Sequence, residues 1–402
     1  MQPATLAQLG IIGLLAASLP LAMVWISADA NKYRKLVWAL VFLTLDLIVF
    51  GAFTRLTDSG LGCPDWPGCY GLANPFLAHE QISAAQAAMP HGPVSVVKAW
   101  IEMIHRYLAM GIGVLIMALT AQAWLQWRRH RGDAFAPALP TALLLFVCVQ
   151  GAFGAWTVTL KLQPVIVTIH LLLGMGLLAL LTWIGGRENH LVKPQPIDTQ
   201  RQAGGAVATL RRLRPLALMS AVLLALQIAL GGWVSTNYAT LACSDFPLCN
   251  GKLVPAMDFE HGFTLWRELG KTAAGHYLPF GALTAIHWVH RNFALIVAAG
   301  LGWTAWTAWN TGRQSPLRRT ARLLVIVLAA QAATGIATVY FSFPLAIAVM
   351  HNAGAALLVV LVTMLNYQTK YQLEIALRSP RRVVPTGTHT AFEPDSRPIS
   401  PP

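Results

Sequence analysis

Four histidines at matched positions in two halves of the chain are the residues best suited to chemistry. They are, in chain order, His105, His170, His290 and His351. Segment 51–69 recurs as segment 231–249 with the same cysteine spacing, and an arginine follows the first histidine of each half. A repeat of about 180 residues indicates a duplicated domain rather than a solenoid.

The number and placement of these histidines favour haem ligation. Each lies near one end of an apolar run, and each half contains two. Imidazole binds iron through a neutral nitrogen, and two imidazoles on facing helices of a bundle form a bis-histidine haem site. An interhelical hydrogen bond would explain any one histidine alone, but four at matched positions favour haem. Zinc is disfavoured because neither half offers matching third and fourth ligands.

The two halves differ at the position three residues before the first histidine. Glu102 precedes His105, whereas His287 precedes His290. Residues at this spacing share one face of a helix, so Glu102 could exchange protons beside an iron ligand. It could equally hold loop backbone by hydrogen bonds, and His287 could support or compete with His290. The difference favours catalysis in the first half and electron carriage in the second.

Other ionisable residues have weaker roles in this interpretation. Arg106 and Arg291 each point about 100° away from the preceding histidine. They could reach haem propionates or extend to the membrane interface. Four further histidines are expected to be solvated in outer loops: His79, His91, His261 and His276.

Four of the five cysteines form two closely spaced pairs, Cys63 with Cys69 and Cys243 with Cys249. On an oxidising face of the membrane such pairs form local disulfides. These could shape a lid over a haem pocket or exchange electrons with thiol partners. Metal binding by all four cysteines is the alternative. Cys148 is expected to be a small buried hydrophobe.

Composition places these residues in a membrane. The 402-residue chain is 55% hydrophobic and 11% charged, whereas soluble proteins carry roughly 25% charged residues. Runs of about 20 apolar residues span a bilayer as helices. The sequence predicts nine such runs: 8–26, 36–54, 101–124, 139–159, 164–185, 215–235, 281–308, 321–340 and 345–366.

The distribution of the net charge of +13 indicates how the chain is oriented in the membrane, and it does not indicate nucleic-acid binding. Of the 29 lysines and arginines, 21 fall in alternate connections between the apolar runs. Basic connections face the cytoplasm. We therefore expect the N-terminus outside, the C-terminus in the cytoplasm, and both cysteine loops on the outer side.

The predicted fold is an all-α polytopic membrane protein with two tandem four-helix bundles and one extra N-terminal transmembrane helix. An even number of helices per repeat relates the bundles by a pseudo-two-fold axis along the membrane normal. Residues 28–30 resemble a signal cleavage site, but no basic residue precedes the first run, so we expect a retained helix. The expected units are the extra helix, the first bundle, a cytoplasmic linker, the second bundle and a disordered tail: residues 1–30, 31–186, 187–214, 215–370 and 371–402.

The motif TRLTDSGLGCPDWPGC at residues 54–69, EMIHR at 102–106, the repeated His-Arg pair and the trailing histidines together resemble haem A synthases over residues 36–366. The resemblance implies oxidation of the C8 methyl group of haem O to the formyl group of haem A. The steps would be successive hydroxylations and loss of water, in a bacterial-type plasma membrane, to supply cytochrome oxidase with its cofactor.

The resemblance also implies roles for individual residues. His105 and His170 would hold the haem O or haem A being processed, and His290 and His351 would hold a haem b cofactor. Glu102 matches the family's functional carboxylate, so it would take protons while electrons leave through the second haem. Cys63 and Cys69 match the outer-loop cysteines of the family. Implied partners are the lipid bilayer, an electron acceptor, haem O synthase, cytochrome oxidase assembly factors and a second copy of the chain.

The residues without the resemblance predict only a diheme membrane oxidoreductase. The alternative is a diheme b-type cytochrome that passes electrons at the outer face. A carrier across the membrane would need haems near both leaflets, but all four histidines are predicted toward the outer ends of their helices. A permease would need charged or broken segments at mid-membrane, and we identify none that is convincing.

Overall fold

A computed structural model describes residues 3–130, 137–192, 205–311 and 315–378, and within these ranges the chain forms helices, turns and isolated bridges. The all-α prediction is confirmed. The helices are α1 (Pro3–Ile26), α2 (Lys32–Leu56), α3 (His79–Ala88), α4 (Val96–His130), α5 (Ala138–Thr159), α6 (Pro164–Val192), α7 (Gly205–Thr236), α8 (Phe259–Gly262), α9 (Phe280–Trp309), α10 (Pro316–Tyr340) and α11 (Leu345–Arg378).

Eight of the described helices are long and apolar enough to cross a membrane. The ninth predicted span coincides with α9, which has 30 residues but is not among the eight. Its apolar run is diluted by His287, His290 and the two residues that follow. The chain is a multi-pass membrane protein, and the crossing by α9 stays a prediction.

The helices pack in a pattern that fits two tandem bundles. Helices α2, α4, α5 and α6 contact one another in a closed ring, and α7, α9, α10 and α11 form a second ring. The rings meet where α6 packs on α11, α2 on α11, and α6 on α7. Exchanging the two halves converts this set of contacts into itself, as a pseudo-two-fold axis requires.

The duplication extends to unusual backbone conformations. Non-glycine residues with positive φ angles are uncommon. Here they recur at matched turns, and the pairs are Asp58 with Tyr238, Tyr70 with Asn250, Lys161 with Ser342, and Leu162 with Phe343. Corresponding turns therefore share one conformation in the two halves.

The predicted extra helix is α1, which packs against the first bundle. Small residues allow the close approach: Gly13 of α1 lies against Met110 of α4, and Gly111 of α4 lies against Ala16 of α1. Close backbone contact of this kind is how helices associate in lipid, where no hydrophobic force drives them together.

Several helices extend beyond the predicted apolar runs. Helix α6 continues to Val192, α7 begins at Gly205, and α11 continues to Arg378. These extra turns carry polar and basic residues, which a search for apolar runs does not include. The middle of the predicted linker and the predicted tail beyond residue 378 lie outside the described residues.

The tightly packed core lies at the ends of the helices opposite to the histidines. Leu36 and Leu40 near the start of α2 are fully buried with Ile116 and Leu119 of α4 and Leu181 of α6. The four histidines lie toward the other ends, next to the cysteine loops. The histidine end of the first bundle also holds a smaller buried cluster, beneath the cysteine loop, which includes Ile82 and Met103.

Candidate active site

The structure brings the predicted histidines together in pairs. His105 on α4 and His170 on α6 are partly buried and close enough to interact electrostatically. His290 on α9 and His351 on α11 do the same in the second bundle. Each pair joins two helices of one bundle, as a bis-histidine site requires.

The imidazoles of the first bundle lack partners for their buried nitrogens. Nδ1 of His105 and Nδ1 of His170 have no hydrogen-bond partner among the described residues. In the second bundle, Nδ1 of His290 lies 3.2 Å from Gln227 Nε2. A buried polar atom without a partner costs free energy. Histidines held in this way fit residues that ligate a haem iron.

Each histidine lies against a glycine of the neighbouring helix. The pairs, with the distance from a Cβ built on the glycine to the imidazole Cε1, are Gly51 with His105 (2.9 Å), Gly154 with His170 (3.1 Å), Gly231 with His290 (3.0 Å) and Gly335 with His351 (3.1 Å). A methyl group at any of these positions would press on the ring. Glycine inside a helix costs about 1 kcal/mol relative to alanine, and its four-fold use here opens room for the imidazoles.

We expect Gly154→Ala to displace the ring of His170 and to lower the haem content of the purified protein. Overpacking costs about 1–3 kcal/mol, which corresponds to roughly a 5- to 150-fold loss of affinity. The measurement is the haem-to-protein ratio together with the electron paramagnetic resonance spectrum of the low-spin haems.

Gly151→Ala is the matched control. Gly151 lies on the same helix, and its Cβ would meet no described atom within 4 Å. This variant should keep its haem and gain helix propensity. Equal haem content and equal spectra in the two variants would show that the glycines do not position the ligands.

Glu102 joins α4 to the first cysteine loop. It is only 4% exposed. Its Oε2 accepts a hydrogen bond from the Cys63 backbone N–H at 2.8 Å, and its Oε1 accepts one from Arg106 Nη2 at 2.5 Å. A carboxylate oxygen has two lone pairs, so each oxygen can still accept another proton donor. The structure thus shows the predicted loop contact and leaves the proton role open to experiment.

His287 has the corresponding contact in the second bundle. Its Nδ1 accepts a hydrogen bond from the Cys243 backbone N–H at 3.2 Å, and the side chain is buried. The nitrogen that accepts this bond carries no proton. His287 therefore holds its loop as Glu102 does, but without a carboxylate.

Both arginines bind loop carbonyl groups. Arg106 is buried and donates to Asp65 O at 2.8 Å and to Gly68 O at 2.5 Å. Arg291 donates to Asp245 O at 2.9 Å. Arg106 reaches these carbonyl groups because the loop folds back over the helix and supplies acceptors.

The predicted cysteine pairs form disulfides, Cys63 with Cys69 and Cys243 with Cys249. Each loop is also closed by an aspartate. Asp65 accepts from the backbone N–H groups of residues 70 and 71, and Asp245 from those of residues 250 and 251. The two loops are therefore built alike and cover the histidine ends of the bundles.

The fifth cysteine differs from its prediction. Cys148 is exposed and not buried. It lies on α5, which packs mainly on α4 and α6 and leaves its remaining surface at the edge of the bundle. An apolar residue on a membrane helix can face lipid as well as core, which the sequence does not distinguish.

Three of the four histidines predicted to be solvated in loops are exposed, His79, His91 and His276, although His79 begins helix α3. His261 differs, because its Nδ1 lies 2.7 Å from Asp258 Oδ2. The backbone and side-chain hydrogen bonds from His261 hold the pKa of Asp258 below its usual range. These residues belong to the segment between α7 and α9.

The contacts of three glutamines with the paired histidines were not predicted from the sequence. Gln150 Nε2 donates to His170 O at 3.1 Å, Gln227 Nε2 donates to His290 O at 3.2 Å, and Gln331 Nε2 lies 3.2 Å from His351 Nε2. The signal was present, since Gln150 and Gln331 occupy the same place in the two repeats.

Comparison with known proteins agrees with this site. The model of the COX15-CtaA family, described as cytochrome oxidase assembly protein, matches residues 34–363. A haem A synthase of Shewanella oneidensis is 37% identical over 337 residues, covering 83% of this chain and 96% of that protein. Haem A synthases of Chelativorans sp. and Sphingopyxis alaskensis are 30% and 29% identical over 349 and 343 residues, covering 82% and 80% of this chain and 89% and 88% of those proteins. The chain belongs to the COX15-CtaA family.

Proposed function

We propose that this protein is a haem A synthase, a membrane oxidoreductase that converts haem O to haem A for cytochrome oxidase. The observation that carries the proposal is the pair of matched histidine sites, of which the first alone has a carboxylate, Glu102, one helical turn before its ligand. Relatives that match 83% and 80% of this chain are haem A synthases. A plain diheme b-type cytochrome would not require the two halves to differ in this way.

His105 and His170 are the proposed ligands of haem O and of the product haem A. His290 and His351 are the proposed ligands of haem b. The unpartnered Nδ1 atoms of the first pair support a role as haem ligands, because no hydrogen bond to the protein occupies them. When bound, haem b would supply a one-electron carrier next to the oxidised substrate.

The reaction requires a proton acceptor. With water as the source of oxygen, conversion of a methyl group to a formyl group releases four electrons and four protons. It proceeds through two hydroxylations and the loss of one water. The electrons leave for an acceptor outside the chain. Glu102 is the proposed first acceptor of protons, since its charge is balanced by Arg106 and its oxygens retain free lone pairs.

The proposed orientation follows the basic connections, with the N-terminus outside and the C-terminus in the cytoplasm of a bacterial-type plasma membrane. Arg128 and Arg129 at the end of α4, and Arg211 and Arg212 near the start of α7, lie on the proposed cytoplasmic side. An alkaline phosphatase fused after residue 402 should be inactive, because that enzyme folds only outside the cytoplasm. An active fusion would reverse the orientation.

Residues 31–186 would form the substrate bundle and residues 215–370 the haem b bundle. Haem O synthase, assembly factors and a second copy of the chain are proposed partners.

The test of the function is identification of the haems that copurify with the protein. We expect extraction and chromatography to yield haem b together with haem O or haem A, and a reduced-minus-oxidised spectrum of two low-spin haems. Haem b alone, even when haem O is supplied, would instead support the diheme cytochrome.

A further inference from the structure

A carboxyl group lies in the middle of the first membrane helix of the substrate bundle. Asp46 is the fifteenth residue of α2, about 21 Å along the helix from its first residue and about 15 Å from its last. Its side chain is exposed on the protein surface and makes no hydrogen bond or ion pair with a described residue. An ionisable group in hydrocarbon is costly and indicates a function. The prediction that no charged residue lies at mid-membrane is therefore wrong at Asp46.

Asp46 lies in an otherwise apolar groove between the bundles. The groove is shallow and largely open, with a volume of about 390 Å³; its lining residues are Asp46, Val49, Phe50 and Phe53 of α2 and Val349 of α11. Phe50 also stacks on His105, with ring centroids 6.2 Å apart and planes 15° from parallel. The groove therefore adjoins a ligand of the first haem site.

The second bundle lacks this carboxyl group. With the offset of the repeat, Leu226 stands where Asp46 stands in the first half, and Leu230 stands where Phe50 does. Leu226 is half exposed and apolar, as expected for a residue facing lipid. This carboxyl group is thus specific to the half that also carries Glu102.

The chemistry of haem O matches this difference. Haem O carries a farnesyl chain with a hydroxyl group at its base, where protohaem carries only a vinyl group. We propose that the groove between α2 and α11 binds the isoprenoid tail of haem O, and that Asp46 accepts a hydrogen bond from the tail hydroxyl group. The inference rests on the proposed assignment of haem O to the first bundle.

The position of Asp46 along the helix agrees with this contact. Asp46 precedes Gly51, the glycine that touches His105, by five residues, which is about 7.5 Å along the helix axis. Asp46 therefore lies within two helical turns of the helix position that contacts His105. The apolar groove then receives the chain beyond the hydroxyl group, and its open side lets the end of the chain reach lipid.

The test compares Asp46→Leu, which copies the second half, with Asp46→Asn. The full-length protein is purified from cells that make both haem O and protohaem, and the bound haems are extracted and quantified. A hydrogen bond to a charged group corresponds to roughly tenfold or more in affinity. We expect Asp46→Leu to lower the ratio of tail-bearing haem to protohaem about tenfold, and Asp46→Asn to lower it less.

Phe42→Leu is the matched control, because Phe42 lies on the same helix, is 63% exposed and does not line the groove. It should leave the haem ratio unchanged. An unchanged ratio in both Asp46 variants would overturn the proposal. A change in oligomeric state with no change in the haem ratio would also overturn it and make the groove a subunit interface.

Two histidine variants separate this proposal from the assignment of the bundles. If His170→Ala loses the tail-bearing haem while Asp46→Leu keeps it, the groove proposal alone fails. If His351→Ala loses the tail-bearing haem and His170→Ala keeps it, the assignment of haem O to the first bundle fails.

Discussion

Replacing His170 with alanine is expected to remove the tail-bearing haem and to leave haem b in place, whereas His351→Ala should do the reverse. Loss of a residue that merely supports a metal ligand costs roughly 10- to 100-fold in affinity, so loss of an axial ligand should cost more. Each variant should therefore retain one haem per chain, and neither should form haem A.

The two substitutions can be compared because His170 and His351 occupy corresponding positions in their bundles. His170 and His351 lie in the second turn of α6 and of α11, each against a glycine of the preceding helix, Gly154 and Gly335. The side-chain contacts differ, since Gln331 and Thr334 lie within hydrogen-bond distance of the His351 ring whereas Nδ1 of His170 has no partner among the described residues. The haem that is lost therefore identifies the bundle, and the amount lost also depends on these contacts. The measurement is extraction and chromatography of the haems, with the reduced-minus-oxidised spectrum of each variant.

His190→Ala controls for removal of an imidazole from α6. His190 lies at the other end of that helix, where its ring stacks on Tyr371 with centroids 3.8 Å apart. This variant should keep both haems. If His170→Ala and His351→Ala also keep both haems, the paired histidines serve as interhelical hydrogen-bonding residues, and the haem assignment is wrong.

The positions of the paired histidines and cysteines could be predicted because the same motifs occur in both halves of the sequence. Apolar runs locate the membrane helices, and the recurrence of His105 as His290 and of His170 as His351 indicates which polar residues to propose as ligands. The disulfides could be predicted as well. Cys63 and Cys69 are close in sequence, so their pairing can be inferred without knowing the fold.

Contacts that depend on how the loops fold could not be predicted. Arg106 binds carbonyl groups some 40 residues earlier in the chain, and nothing in its local sequence specifies this. The burial of Cys148 was predicted wrongly for a related reason, because lipid and protein interior select the same apolar residues. The role of Gly154 emerges only when α5 is placed beside α6.

Asp46 illustrates a different limit. A single carboxyl in an apolar run lowers the mean hydropathy little and does not interrupt the predicted helix. Its importance depends on which face of α2 it occupies and on the presence of α11 beside it. Comparison of the halves would have helped, since the repeat aligns it with Leu226.

Glu102→Gln is expected to stop formation of haem A while both haems remain bound. Glutamine keeps an oxygen that can accept the Cys63 N–H, so the loop contact at 2.8 Å survives. It cannot take up a proton at neutral pH. General acid–base catalysis contributes about 100- to 10,000-fold to rate, and the loss of haem A production should fall in that range. The measurement is conversion of haem O to haem A per bound haem.

His287→Gln is the matched variant in the second bundle. His287 accepts the corresponding N–H of Cys243, and the same substitution keeps an acceptor there. If these residues act only by holding their loops, the two variants should reduce the rate of conversion to a similar, small extent. A proton-accepting Glu102 instead predicts a much larger loss in the first bundle than in the second.

Glu102→Asp distinguishes proton transfer from packing. Aspartate retains the carboxylate and the charge that balances Arg106, but it is one methylene shorter and fits the loop less well than glutamine. Partial conversion by the aspartate variant, with none by the glutamine variant, would identify the titratable group as the requirement. The opposite order, with normal haem A output from Glu102→Gln, would show that Glu102 serves only to fasten the cysteine loop to α4.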